Sequence, residues 1–254
     1  MSPHAQSPRP RRRSGPVRTH KQPAHSVGEL VDRLAREVDW TSALPPHAHA
    51  AGWHVGQFAK RLFDLATAFV GLVLLAPFLL LVTLIVRLDS PGGALYTWTA
   101  VGYRGRRFTE YKFRTMVMDA EHVEDELSHL NEMDGPVFKI RDDPRVTRVG
   151  RVLRKYSIDE LPQLWNVLLG DMSLVGPRPL IWHEFANATP DQRRKLSVRP
   201  GITCLWQITG RSAITSFQGW VDLDLEYIRD WSLRIDVLIL LRTIPVVFRG
   251  RNAY

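Results

Sequence analysis

Cysteine is nearly absent from this 254-residue chain, where Cys204 stands alone. That excludes an internal disulfide and a cysteine-rich zinc site, and it fits a reducing compartment. Acidic residues are also short, 26 against 34 lysines and arginines, which leaves a net charge of +8 and a pI near 10.0. Such a balance favours an anionic partner, whether nucleic acid, acidic lipid headgroups or a phosphorylated substrate. Apolar side chains are scarce in residues 1–25, where Arg9, Arg11, Arg12, Arg13, Arg18 and Lys21 lie among prolines, serines and histidines. A stretch with so little to bury is expected as a disordered basic tail, either solvated or drawn to anionic lipid. No apolar core follows those charges directly, so the tail is not a secretory signal.

Charge is missing altogether between Asp64 and Arg87. The uncharged run is about 22 residues, long enough at roughly 1.5 Å per residue to cross a hydrocarbon core of about 30 Å. Pro77 interrupts it near the middle, where a missing N–H and a steric clash kink a helix. Lys60 and Arg61 precede the run, and Arg87, Arg104, Arg106 and Arg107 follow it, so the positive-inside bias names neither end as the outer one. A helix that enters, bends at Pro77 and returns to the same face satisfies both flanks. Residues 58–88 are therefore expected as a re-entrant membrane hairpin.

What surrounds the run is mixed in pattern. Val27, Leu30, Val31, Leu34 and Val38 recur at helical spacing behind a Ser26–Glu29 capping box, which makes residues 26–57 an amphipathic helix and a linker. That helix could dock on the core, on a membrane or on a second copy of the chain. Residues 89–254 read as a cytoplasmic globular domain. Two strands, Ala94–Val101 and Phe108–Phe113, flank a basic turn; an acidic helix is expected over Asp119–Met133, and a polar helix with a break over Phe185–Leu196. Asp142-Asp143-Pro144-Arg145 is a turn whose acidic pair could hold a cation. The apolar stretch Trp231–Val247 carries Arg234, Asp236 and Arg242, too many charges for a second span, and suits an interfacial helix anchored by Trp220 and Trp231. The fold class is α/β, mostly α with a small β-hairpin.

The chemistry concentrates between Arg154 and Pro179. Asp159 and Glu160 lie between Arg151, Arg154 and Lys155 upstream and Gly176-Pro177-Arg178-Pro179 downstream. One reading makes Ser157 and Glu160 a capping box at a helix start. The other is a carboxylate nucleophile framed by arginines to meet a polyanion.

The order Lys60, Arg61, Asp64 and Pro77, then YKFRTM at 111–116, SIDELPQLWNVLLGDMSLVGPRP at 157–179, VRPGIT at 198–203 and Gly210-Arg211 resembles the bacterial sugar transferase family, the monotopic polyprenyl-phosphate phosphoglycosyl transferases. The resemblance covers the chain from about residue 58 onward. It implies an enzyme of the inner membrane, its catalytic domain facing the cytoplasm, with membrane lipids but no nucleic acid as partner. The implied reaction moves a sugar phosphate from a UDP-sugar to polyprenyl (undecaprenyl) phosphate, releases UMP, and opens polysaccharide or glycoconjugate assembly. By the same match Asp159 is the nucleophile that forms a phosphosugar intermediate. Glu160 is its partner carboxylate and helps hold Mg²⁺. Lys112, Arg154, Pro177, Arg178, Pro179 and Arg211 contact the donor or its phosphates. A carboxylate needs no base at neutral pH, and arginines with a hard cation offset its repulsion from a diphosphate.

The chain departs from the family pattern at Trp98-Thr99-Ala100-Val101-Gly102, where an amide and a guanidinium are usual in place of Trp98 and Ala100. Cys204 replaces a usual glycine, which is harmless only if its φ is negative. Two other classes remain: a membrane-anchored scaffold, in which Asp159→Asn changes little, and a phosphohydrolase, in which UMP release continues without lipid.

Overall fold

The computed structural model describes residues 24–209 and 214–249. The basic tail up to residue 23 and Arg211 lie outside them. The first helix, α1, spans Ala24–Arg36 and buries Val27 and Val31 in a core shared with Leu180, Phe185 and Trp220. Of the three destinations open to this stripe, its own core is the one taken.

Helix α2 runs Ala51–Asp89 as one element with Pro77 inside it, and it is long and apolar enough to cross a membrane. The break expected at Pro77 is therefore not present as two separate helices. A proline removes one N–H and strains one turn, but a helix continues through it when both flanking segments are pinned by packing. Such packing exists here. Ala68, Leu72 and Leu75 pack into one cluster of the globular domain, and Leu79, Val82 and Val86 into another. These six recur every three or four residues, so they form one face; Phe69, Val70, Val73, Leu74, Leu80, Leu81 and Leu84 on the other faces are exposed. Buried charge fixes the start of the helix. The Lys60 ammonium donates to Asp236 at 2.6 Å and to the Val175 carbonyl at 3.0 Å, while Asp64 accepts the Leu174 amide at 3.2 Å.

Strands β1 (Leu95–Val101) and β2 (Arg107–Phe113) form the expected hairpin, in register from Leu95↔Phe113 to Val101↔Arg107. Helices α3 (Arg148–Lys155) and α4 (Gln163–Leu169) follow, then β3 (Ser173–Val175) and β4 (Leu180–Ile181). Strand β4 adds to the free edge of β1, giving the order β2-β1-β4, and β3 pairs in parallel with β5 (Gly201–Thr203). At that parallel pair a Cβ on Gly201 would lie 2.0 Å from the Gly176 amide nitrogen, so only glycine allows the approach. Short helices α5 (Trp182–Asn187), α6 (Pro190–Arg193) and α7 (Leu205–Thr209) precede α8 (Phe217–Arg229) and α9 (Leu233–Arg249). The architecture is mostly helical around a small sheet.

Two expectations need correction. Residues 119–133 form turns and a 3-10 turn at Ser128–Leu130 rather than an acidic α-helix. Arg145 draws the segment inward, taking the Ala120 carbonyl at 3.2 Å and the Glu124 carboxylate at 2.9 Å, which diverts an acceptor from any helical ladder. Trp220 is not an interfacial anchor but is 3% exposed and stacked on Trp206 at 4.4 Å and 8°. Helix α9 buries Ile239 beside its charged anchor and leaves Arg234 and Arg242 exposed. Asp236 faces inward to Lys60, while Val237, Leu238, Leu241, Ile244 and Phe248 are exposed.

Candidate active site

Helix α3 begins at Thr147, whose hydroxyl accepts the Gly150 amide at 2.9 Å, and it ends at Tyr156. Ser157 then adopts φ 52°, a left-handed conformation uncommon for serine. A helix N-cap needs extended backbone, and the Ser157 side chain makes no capping bond, so the capping-box reading fails. The reversal instead projects a 3-10 turn, Ile158–Glu160, away from α3, and α4 starts only after Pro162. Asp159 and Glu160 thus line a cleft of about 770 Å³.

The sheet supplies the opposite wall. On β2, Glu110 and Lys112 share a face by the two-residue period, and Trp98 of β1 pairs with Glu110 in the register. The Lys112 ammonium lies 2.9 Å from Glu160 and 3.7 Å from Glu110, with the Trp98 ring 5.1 Å away. Gln163 of α4 donates to Glu110 at 2.8 Å. Arg154 enters from α3, its Nε held by the Thr115 hydroxyl at 2.9 Å. Arg178 enters from the Gly-Pro-Arg-Pro turn and meets Glu184 of α5 at 3.0 Å and 3.2 Å through its two terminal nitrogens. It lies 5.9 Å from the Trp220 ring.

Burial and the adjacent Glu160 carboxylate push Asp159 up to about 6, against the pull of Lys112 and Arg154. At that value Asp159 is mostly ionised at neutral pH, yet more basic than an ordinary aspartate. Burial lowers the affinity of Arg154 for its proton, with the charges of Asp159 and Asp143 acting the other way.

Of the residues singled out in the sequence, Lys112, Arg154, Asp159, Glu160, Arg178 and Pro179 line this one cleft. Pro177 does not line it; its carbonyl accepts the Gly201 amide at 2.9 Å and fixes the turn that carries Arg178. Asp143 is committed to Arg145 at 2.7 Å, which removes it as a cation ligand. Among the described residues only Arg104 and Ser157 are non-glycine positions with positive φ, so cysteine at 204 carries no backbone strain. Sequence reasoning passed over Glu110, Gln163 and Glu184. The same-face spacing of Glu110 and Lys112 was available to find the first; Glu184 had no local cue beyond the need of Arg178 for a counter-charge.

Among the described residues, no three His, Cys, Asp or Glu side chains gather as a metal cage. Asp159 and Glu160 are neighbouring carboxylates among the acidic side chains that line the cleft. A pair of hard oxygen donors fits Mg²⁺, which characteristically takes one or two carboxylates and completes its shell with substrate phosphates and water.

The family model described as bacterial sugar transferase matches residues 55–250. The galactosyl transferase CpsE of Streptococcus agalactiae is 46% identical over 196 residues, covering 77% of this chain and 43% of CpsE. The exopolysaccharide production protein ExoY of Rhizobium meliloti is 41% identical over 204 residues, 79% of this chain and 90% of ExoY. A UDP-glucose:undecaprenyl-phosphate glucose-1-phosphate transferase of Caulobacter vibrioides is 42% identical over 204 residues, 77% of this chain and 72% of that protein. The chain thus spans less than half the length of CpsE and most of the other two. With the model matched from α2 through α9, the chain belongs to the bacterial sugar transferase family.

Proposed function

We propose that this protein transfers a sugar 1-phosphate from a UDP-sugar to polyprenyl (undecaprenyl) phosphate, the first membrane step in assembling a polysaccharide or glycoconjugate. The observation that carries the reading is Asp159, a carboxylate with raised basicity in a cleft ringed by Lys112, Arg154 and Arg178. An Asp159 oxygen attacks the sugar-bearing phosphorus, and the bond from that phosphorus to the bridging oxygen breaks, releasing UMP. A phosphate oxygen of the polyprenyl acceptor then attacks the same phosphorus and expels Asp159 as the free carboxylate, leaving a polyprenyl diphosphate sugar.

The side chains divide the work. Lys112 holds Glu160 and presents positive charge beside Asp159, so the nucleophile meets the diphosphate without full repulsion. Arg154 and Arg178 bind phosphate or nucleotide oxygens, Arg178 aimed by Glu184 and by the turn at Pro177 and Pro179. Arg211 takes a phosphate role by family resemblance alone. Glu160, with Asp159, would hold Mg²⁺, which neutralises diphosphate charge when bound.

Features of α2 and α9 support a placement at the membrane. Residues on both sides of Pro77 pack on one globular domain, which supports entry and exit of α2 on a single membrane face; the cytoplasmic face is taken from the family resemblance. The exposed apolar face of α9 suits burial among the lipids of that face. Intact-protein mass spectrometry after incubation with Mg²⁺ and a panel of UDP-sugars, without lipid acceptor, tests the reading. One sugar phosphate should add to the protein and not to Asp159→Asn. UMP release that continues indefinitely without acceptor would show hydrolysis instead, and no adduct with any donor would favour a scaffold.

A further inference from the structure

A second cavity, of about 300 Å³, lies apart from the catalytic cleft, lined by Arg61 of α2, Arg104 of the basic turn after β1, Arg199 before β5, and His49 and His54. Its position is set by α2, because Arg61 stands just ahead of the uncharged run that begins after Asp64. Arg61 and Arg199 converge on the C-terminal end of α4. Arg61 donates to the Val167 carbonyl at 2.7 Å and the Leu168 carbonyl at 3.2 Å, and the Arg199 Nε donates to the Gly170 carbonyl at 3.0 Å. Arg104 and Arg199 both approach the Tyr103 ring, at 5.2 Å and 5.8 Å.

Three guanidiniums therefore face one small cavity, which the Asp64 carboxylate also lines, and among the described residues none of the three makes an ion pair with a carboxylate within 4.0 Å. Each guanidinium offers five N–H donors, of which these contacts use at most two. Ser197, which also lines the cavity, is 2% exposed, and among the described residues its hydroxyl has no hydrogen-bond partner. Buried polar groups are seldom left unpaired, and like charges are seldom gathered, without a ligand that answers both. Arg104, which lines the cavity, is also held at φ 50°, a conformation uncommon for a non-glycine residue.

We propose that this cavity binds a phosphate group at the membrane interface, and that the group is the phosphate of an anionic phospholipid. The chemistry needed is a tetrahedral oxyanion taking N–H donors from Arg104 and Arg199 and a hydroxyl from Ser197. Acyl chains leaving the cavity would lie along the exposed apolar faces of α2. The assignment is independent of the transfer reaction, because no residue of the catalytic cleft lines this cavity.

The test is native mass spectrometry of the full chain released from micelles with phosphatidylglycerol, with phosphatidylcholine, or with inorganic phosphate. Wild type is compared with Arg104→Gln/Arg199→Gln and with Arg33→Gln/Arg36→Gln, which removes the same charge from an exposed stretch of α1. The expected result is one retained phosphatidylglycerol per chain, at least tenfold weaker in the first variant and unchanged in the second, with phosphatidylcholine not retained. The phosphosugar adduct should form in all three proteins, which shows that they are folded. Equal retention by both variants would overturn the site, since bulk charge would then explain binding. Retention of inorganic phosphate alone would overturn the lipid assignment.

Discussion

Lys60 and Lys112 are both largely buried lysines beside carboxylates, and they sit in opposite circumstances. Around Lys60 every polar atom is used. The ammonium meets Asp236 and the Val175 carbonyl, Tyr227 donates to Asp236 at 2.7 Å, and Trp231 donates to it at 3.2 Å. That cluster ties α2 to α9 and β3, and it has nothing left for a ligand. Around Lys112 the charges outnumber the bonds. Glu160 and Glu110 share the ammonium, while Asp159 makes no ion pair within 4.0 Å among the described residues. Burial of charge by itself marks neither function nor stability; an unspent carboxylate in an open cleft marks function.

Substitutions on the two sides should separate cleanly. Asp159→Asn should reduce UMP release on the order of 10⁴-fold while leaving the unfolding temperature within a few degrees of wild type. A variant that kept most of its turnover would remove Asp159 from the mechanism. Asp236→Ala should do the reverse, costing about 3–5 kcal/mol by stranding the Lys60 charge. Denaturant unfolding in detergent reads this, and Lys60→Met combined with Asp236→Leu should recover much of the loss. Lys112→Met should cut the rate of adduct formation about 10²-fold, because one stabilising charge is lost from beside the nucleophile.

The smallest effect concerns protons. Asp159 in metal-free protein should titrate near 6, seen by isotope-edited infrared spectroscopy, and Glu160→Gln should lower that midpoint by removing the like charge. The sign for stability follows from the raised folded value. Between pH 4 and 6 the unfolded chain gives up this proton first, so Asp159 destabilises the fold increasingly as pH rises through that window. Asp159→Asn should flatten the slope. A wild-type midpoint near 4 would place Asp159 in solvent and break the contrast with the Lys60 cluster.

Lys112, Arg154, Asp159, Glu160 and Arg178 were named on the family resemblance, and the fold gathers them into one cleft. Glu110 was less legible because it accepts from Gln163, distant in sequence, and Glu184 because only the turn from β4 into α5 brings its carboxylate back to Arg178 six residues earlier. Trp220 misled for a similar reason. Its amphipathic neighbours suit a membrane surface or a core equally, and only the stacked Trp206 settles the choice.

The chain's own order of residues was enough to establish the β1–β2 hairpin, the uncharged helix and the acidic pair, because period-two alternation, runs without charge and adjacent carboxylates are local properties. The course of α2 through Pro77, the left-handed Ser157 that turns Asp159 into the cleft, and the inward Asp236 of α9 depended on packing between distant segments. A proline can bend or be carried through, a serine can cap or reverse, and an aspartate can face water or a buried lysine. Local energies at such positions differ by only a few kcal/mol, so tertiary contacts select the outcome.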